Sequence, residues 1–165
     1  MPVLVQQRMP RHRVGHTTAV TIGGERFYIT TNQCDNGTLG EVFIRSGKQG
    51  TSGAGLMDIY ASALSAALQH GVPLADLIGA GLDLCFVPNG HTDDPEIPRA
   101  RSVIDYISRR LALDWLPRTE RAALGVLKNK PPIRTAVRDP AVRTVRPWTG
   151  QPPRTVLRWL LWPQW

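Results

Sequence analysis

Apolar and polar positions alternate along the first third of this chain, and from position 56 the period lengthens to that of a helix. Residues 17–22 and 26–31 are β-type runs separated by Gly23-Gly24, a pair that accepts the positive φ angles of a tight hairpin. Asp35-Asn36-Gly37 marks a second turn. A third run, 40–45, puts Val42 and Ile44 on one face and Glu41, Phe43 and Arg45 on the other. Three antiparallel strands with one covered face follow. Residues 56–70 then place Leu56, Ile59/Tyr60, Ala63/Leu64 and Ala67/Leu68 at i, i+3, i+4, i+7, the spacing of a buried helix face. Ala61, Ser62, Ser65 and Ala66 lie between them and are small enough for a close neighbour. Gly71 suits the left-handed position past the end of that helix, and Pro73 suits the start of a short second one over 73–80. A loop over 83–98 follows. The next helix is expected over 99–113, with Val103, Ile107 and Leu111 (and Ile104) on one stripe. Thr119 is expected to cap a last helix, 120–128. The fold class is α+β: a small antiparallel sheet of about three strands on three to four helices.

Composition then divides the chain. Its 165 residues suffice for about one domain. Residues 1–16 read as a basic arm, 17–116 as the α+β domain, 117–128 as an additional helix and 129–165 as an extended tail. The tail holds seven of the fourteen prolines and four of the five tryptophans, Trp148, Trp159, Trp162 and Trp165. A Trp-rich end on a Pro-rich leash is expected to dock on its own domain, on a neighbouring subunit or on another protein. The charge of +7 is equally uneven: residues 117–165 carry ten Lys/Arg against two Asp/Glu, and residues 1–116 carry ten against eleven. Polyanion contact therefore belongs to the tail or to Arg8, Arg11 and Arg13, and nucleic acid is not an expected partner of the domain. Cys34 and Cys85 are too few and too far apart for a disulfide scaffold or a zinc site, and both read as buried or half-buried thiols. No apolar run is long enough to span a membrane, and no signal-peptide order opens the chain, so a cytoplasmic location is expected.

Candidate chemistry concentrates in the loop 46–55. Gly47, Gly50, Gly53 and Gly55 allow successive N–H groups to converge, and the loop opens onto a helix N-terminus, where unpaired N–H groups favour an anion. Arg45 and Lys48 add charge, and Thr51 and Ser52 add hydroxyls. Gly-Lys stands at the wrong end for a Walker A loop. Two roles are open to these residues: phosphate binding, or a glycine-rich connection in which Thr51 or Ser52 caps the helix. A second candidate is Asn89, His91, Asp93 and Asp94, which suit hydrogen bonds to a base or ribose or a weak metal site, or else an exposed turn. Arg109 and Arg110 read as a solvated helix face, with reach to a ligand as the alternative, and His12 and His16 as solvated arm residues. No nucleophile, base and orienting acid stand together, so no catalytic residue, metal or cofactor is expected.

Several motifs occur in a telling order: the Gly-Gly hairpin, GTLGEVFI (37–44), GKQG (47–50), a small-residue helix, HGVP (70–73), CFVPNG (85–90) and RSVIDYISRRLALDWL (101–116). Together, over about residues 8–116, they resemble the TSCPD-type domain of the C-terminal region of adenosylcobalamin-dependent (class II) ribonucleotide reductases. They also resemble small proteins carried by bacteria and their viruses. The enzymes of that family carry a catalytic barrel with a radical-bearing cysteine, a cobalamin site and a C-terminal cysteine cluster, none of which fits in this chain. The resemblance therefore implies a fold and a nucleotide context, and not reductase activity by this chain alone. The function expected is a non-catalytic protein that binds or sequesters a phosphate-bearing nucleotide through the glycine loop, and that forms a homo-oligomer to cover its small sheet. The alternative is a structural protein that docks on a partner or assembly through its tail.

Overall fold

A computed structural model describes residues 6–46 and 50–126. The expectations placed on Gly47, Lys48, Trp148, Trp159, Trp162 and Trp165 fall outside them. Strands β1 (Gly15–Ile22), β2 (Glu25–Gln33) and β3 (Leu39–Ser46) form an antiparallel sheet in that order, as the alternation predicts. Gly23 and Gly24 take φ of 55° and 91° at the first hairpin. A side chain at Gly23 would also meet the Asn89 carbonyl oxygen at 2.6 Å, so glycine there serves both the turn and a close loop. At the second turn Gly37 has φ 81°, and Asn36 Oδ1 accepts the Thr38 N–H at 3.1 Å.

Alternation sends Val20, Ile22, Phe27, Ile29, Val42 and Ile44 into the core. The opposite face keeps Tyr28 and Phe43 exposed. Against the covered face lie α1 (Ser52–Gln69) and α3 (Val103–Trp115), with α2 (Leu74–Gly81) packed on α3. A two-residue ribbon, β4 (Gly90–His91) with β5 (Arg99–Ala100), replaces part of the expected 83–98 loop. Helix α4 (Arg118–Ala123) completes the order.

Helix positions differ from expectation in four ways. First, α1 begins at Ser52 with Thr51 as its cap, so Gly53 and Gly55 belong to the helix and not to the loop. Second, its buried side is Ala61, Leu64 and Ser65 with Met57, Tyr60 and Leu68, whereas Leu56 and Ile59 stay 62% and 68% exposed. The reason is the edge of β3, along which α1 lies. Ser65 Oγ accepts the Val42 N–H at 2.9 Å and Gln69 donates to the Gly40 carbonyl at 3.2 Å, which sets the helix rotation. Third, α3 starts at Val103 and not at 99, because Ser102 caps it by accepting the Asp105 N–H at 3.1 Å. Eleven of its thirteen residues are buried, so its expected stripe (Val103, Ile104, Ile107, Leu111) is one side of a central core helix. Fourth, α4 begins behind Pro117, and Thr119 does not cap it.

Candidate functional site

The N-terminus of α1 opens on a cavity of about 720 Å³ built from five chain segments. The first hairpin contributes Glu25, Arg26 and Phe27. The end of β3 contributes Ser46, and the first turns of α1 contribute Thr51, Gly53 and Met57. Phe86, Val87 and Pro88 form the opposite wall, with a cis Val87–Pro88 peptide bond, and Val103 reaches in from α3. The lining is therefore apolar in its body (Phe27, Met57, Phe86, Val103) and polar at one end. At that end Thr51 Oγ1 accepts the Ala54 N–H at 3.2 Å, and no acidic residue lies in the first turn to offset the dipole. The guanidinium of Arg26 sits 5.6 Å from the Tyr28 ring centre and donates to its hydroxyl at 3.2 Å.

Of the residues singled out in the sequence, Thr51 and Gly53 line this cavity, while Gly50 and Ser52 are exposed beside it. Arg45 does not take part: it pairs with Tyr28 on the outer face of the sheet. Asn89 lines a second cavity, and His91 is exposed in β4 with its carbonyl accepting the Gly23 N–H at 3.2 Å. The sequence reading missed Arg26, Phe27, Met57 and Phe86. Only Phe86 and Val87, large apolar residues in an exposed proline-bearing loop, gave any signal of a binding wall.

The carboxylates near His91 serve the fold. Asp93 accepts the Thr21 N–H at 2.7 Å, and that backbone hydrogen bond holds its carboxyl below the usual range. Asp94 accepts from Tyr106 Oη at 2.7 Å and from Arg110 at 3.1 Å. Burial alone would raise Asp94. The Tyr106 hydroxyl, the Glu96 N–H and Arg110 outweigh it and hold the carboxyl low. Burial, then the bond to Asp94, pushes the Tyr106 phenol well up. Arg110 itself is 5% exposed, contrary to the solvated face expected of it. It grips Asp114 through two nitrogens, at 2.6 and 2.9 Å, and also reaches Glu96 at 2.9 Å. Among the described residues no group of three or more His, Cys, Asp or Glu is placed to hold a metal. Cys34 is a buried free thiol, and Cys85, expected to be at least half-buried, is exposed. No helix among the described residues is long and apolar enough to cross a membrane.

Residues 5–114 match the TSCPD domain. A vitamin B12-dependent ribonucleotide reductase of Streptomyces coelicolor is 47% identical over 122 residues, which cover 74% of this chain and 13% of that protein. The protein of the same name from Streptantibioticus cattleyicolor is also 47% identical over 122 residues, 20% of its length. That from Agrobacterium fabrum is 35% identical over 118 residues, covering 71% of this chain and 9% of the relative. The chain thus spans a small part of the curated relatives it matches. No solved structure matches it significantly. On the family match and these relatives, the chain belongs to the TSCPD domain family, in the form found within vitamin B12-dependent ribonucleotide reductases.

Proposed function

We propose that this domain is a non-catalytic binding module for a phosphate-bearing nucleotide. The carrying observation is the two-part cavity at the start of α1, with Thr51 and the helix N-terminus at one end and Phe27, Met57, Phe86 and Val103 along the rest. Its volume of about 720 Å³ lies within the roughly 300–1,000 Å³ of small-molecule sites. A phosphate suits the polar end. A base suits the aromatic and apolar body. The relatives' name supports the choice of ligand, since a ribonucleotide reductase acts on nucleotides. The test is to purify the untagged protein, denature it and identify released small molecules by mass spectrometry, alongside Thr51→Val and Phe86→Ala variants. A nucleotide held by the native protein and lost from the variants is the expected result. Nothing released, together with no shift in melting temperature on adding nucleotides, would overturn the reading.

A second part of the proposal is self-association. Leu56 and Ile59, on consecutive turns of α1, are more than half exposed, and Leu56 lies at the rim of the cavity. A second copy covering this stripe would also close the cavity mouth. Light scattering is expected to show a dimer or larger at micromolar concentration, and Ile59→Glu to shift it toward monomer. A compact native monomer would remove this part.

A further inference from the structure

Across the 85–90 segment from the first cavity lies a second one of about 350 Å³, and its chemistry is different. Arg99 of β5, Arg101 in the link before the Ser102 cap and Arg109 of α3 line it, together with Asp105, Asn89 and Cys85. We propose that it is an anion site for a phosphoryl group, and that a small polyanion such as pyrophosphate occupies it. The inference stands apart from the nucleotide reading of the first cavity.

Two observations make this more than a basic patch. The first is a buried organiser. Asp105, 1% exposed, accepts the N–H groups of Asp83 (2.8 Å) and Arg101 (3.0 Å) and the Nε of Arg109 (2.9 Å). Its carboxylate therefore fixes the backbone from which Arg101 projects and the head group of Arg109. The second is backbone strain at the neighbouring brace. Asp83 has φ 61°, the one positive φ at a non-glycine among the described residues, and its carboxylate accepts Arg109 Nη2 at 2.9 Å with Arg101 at 3.9 Å. Arg109 is thereby held between two carboxylates, those of Asp105 and Asp83, which leaves Nη1 without a hydrogen bond to the described residues. Arg99 makes no ion pair among the described residues. Three guanidiniums against two carboxylates leave positive charge at the cavity, with that of Arg109 already oriented. That set suits the tetrahedral oxygens of a phosphoryl group better than a lone carboxylate.

Cys85 supplies the readout, because it is exposed at this cavity while Cys34 is buried. The full chain is treated with a thiol reagent under native conditions, with and without sodium pyrophosphate, and with sodium chloride at matched ionic strength. Pyrophosphate is expected to slow modification of Cys85 while leaving that of Cys34 unchanged, and calorimetry to give a matching dissociation constant. Arg99→Ala and Arg101→Ala are each expected to weaken that constant about tenfold or more, the worth of one charge-assisted hydrogen bond. Thr51→Val, in the first cavity, is expected to leave it unchanged. Equal protection by chloride would overturn the proposal, as would unchanged binding by both arginine variants. Loss of protection in Thr51→Val would also overturn it, by placing the pyrophosphate across the wall.

Discussion

Arg110 is the side chain on which the 90–98 segment most depends. It joins Asp94 and Glu96 of that segment to Asp114 of its own helix, from a position almost out of solvent. Replacing it with alanine would strand carboxylates inside low-dielectric surroundings. Arg110→Ala is expected to cost about 3–5 kcal/mol, read from the urea midpoint, with Arg110→Lys recovering only part. The same cluster sets a pH response. Asp94 and Asp93 have carboxyls held below their ordinary range, so their contribution is present above the unfolded value near pH 4 and is lost as pH falls through the folded one. Tyr106, held above its ordinary value, contributes below about pH 10 and loses that contribution as pH rises further. A melting curve recorded across pH should therefore decline at both ends, and Tyr106→Phe should flatten the alkaline limb. None of this cluster was legible in the sequence. Arg109-Arg110 beside Asp105 and Asp114 looks like ordinary i,i+4 surface pairing. What decides otherwise is the arrival of Asp94 and Glu96 from a loop 14 to 16 residues upstream.

At the scale of elements, strand alternation was readable because each strand has one covered face and glycine turns set the register. Helix α1 was harder. Its sequence carries two apolar stripes, Leu56/Ile59/Ala63 and Met57/Leu64/Leu68, and periodicity alone does not choose between them. The choice rests on Ser65, a residue with no hydrophobic signal at all. Its hydroxyl accepts the Val42 N–H and donates to the Ala61 carbonyl at 2.8 Å, joining helix to strand edge. Ser65→Ala is expected to cost about 1–3 kcal/mol by leaving a buried N–H without a partner, and Ser65→Thr to be worse than its similarity suggests. The α2–α3 contact is set by absence of bulk. A Cβ at Gly81 would lie 2.2 Å from Ser108 Oγ and 3.1 Å from Ile104 Cγ2. Gly81→Val is accordingly expected to destabilise by about 1–3 kcal/mol, measured by thermal or urea unfolding.

On the scale of the molecule, neither cavity belongs to one element. The first draws on residues as distant as Gly24 and Val103, and the second on Cys85 and Arg109, so a linear reading finds their parts but not their meeting. Thr51 and Asn89 were both legible as polar loop residues, and the fold assigns them to different sides of one wall. Because the described lining of both cavities ends at Arg109, a chain lacking 129–165 is expected to keep nucleotide retention and Cys85 protection. Comparing the two chains in those assays checks this. The sheet has one more consequence, which comes from its two unequal margins. Ser65 and Gln69 occupy the β3 margin at Val42 and Gly40, and β1 is capped at one end, where Asp93 takes the Thr21 N–H and Thr92 bridges Ile22. By the same alternation Thr17 and Ala19 turn their N–H and C=O groups outward along the rest of β1. An extended segment that joins the sheet along β1 meets a fixed stopping point at Thr21, where Asp93 and Thr92 cap the strand. Edge-to-edge aggregation would begin at that margin, and a proline or lysine at position 19 is the place to block it.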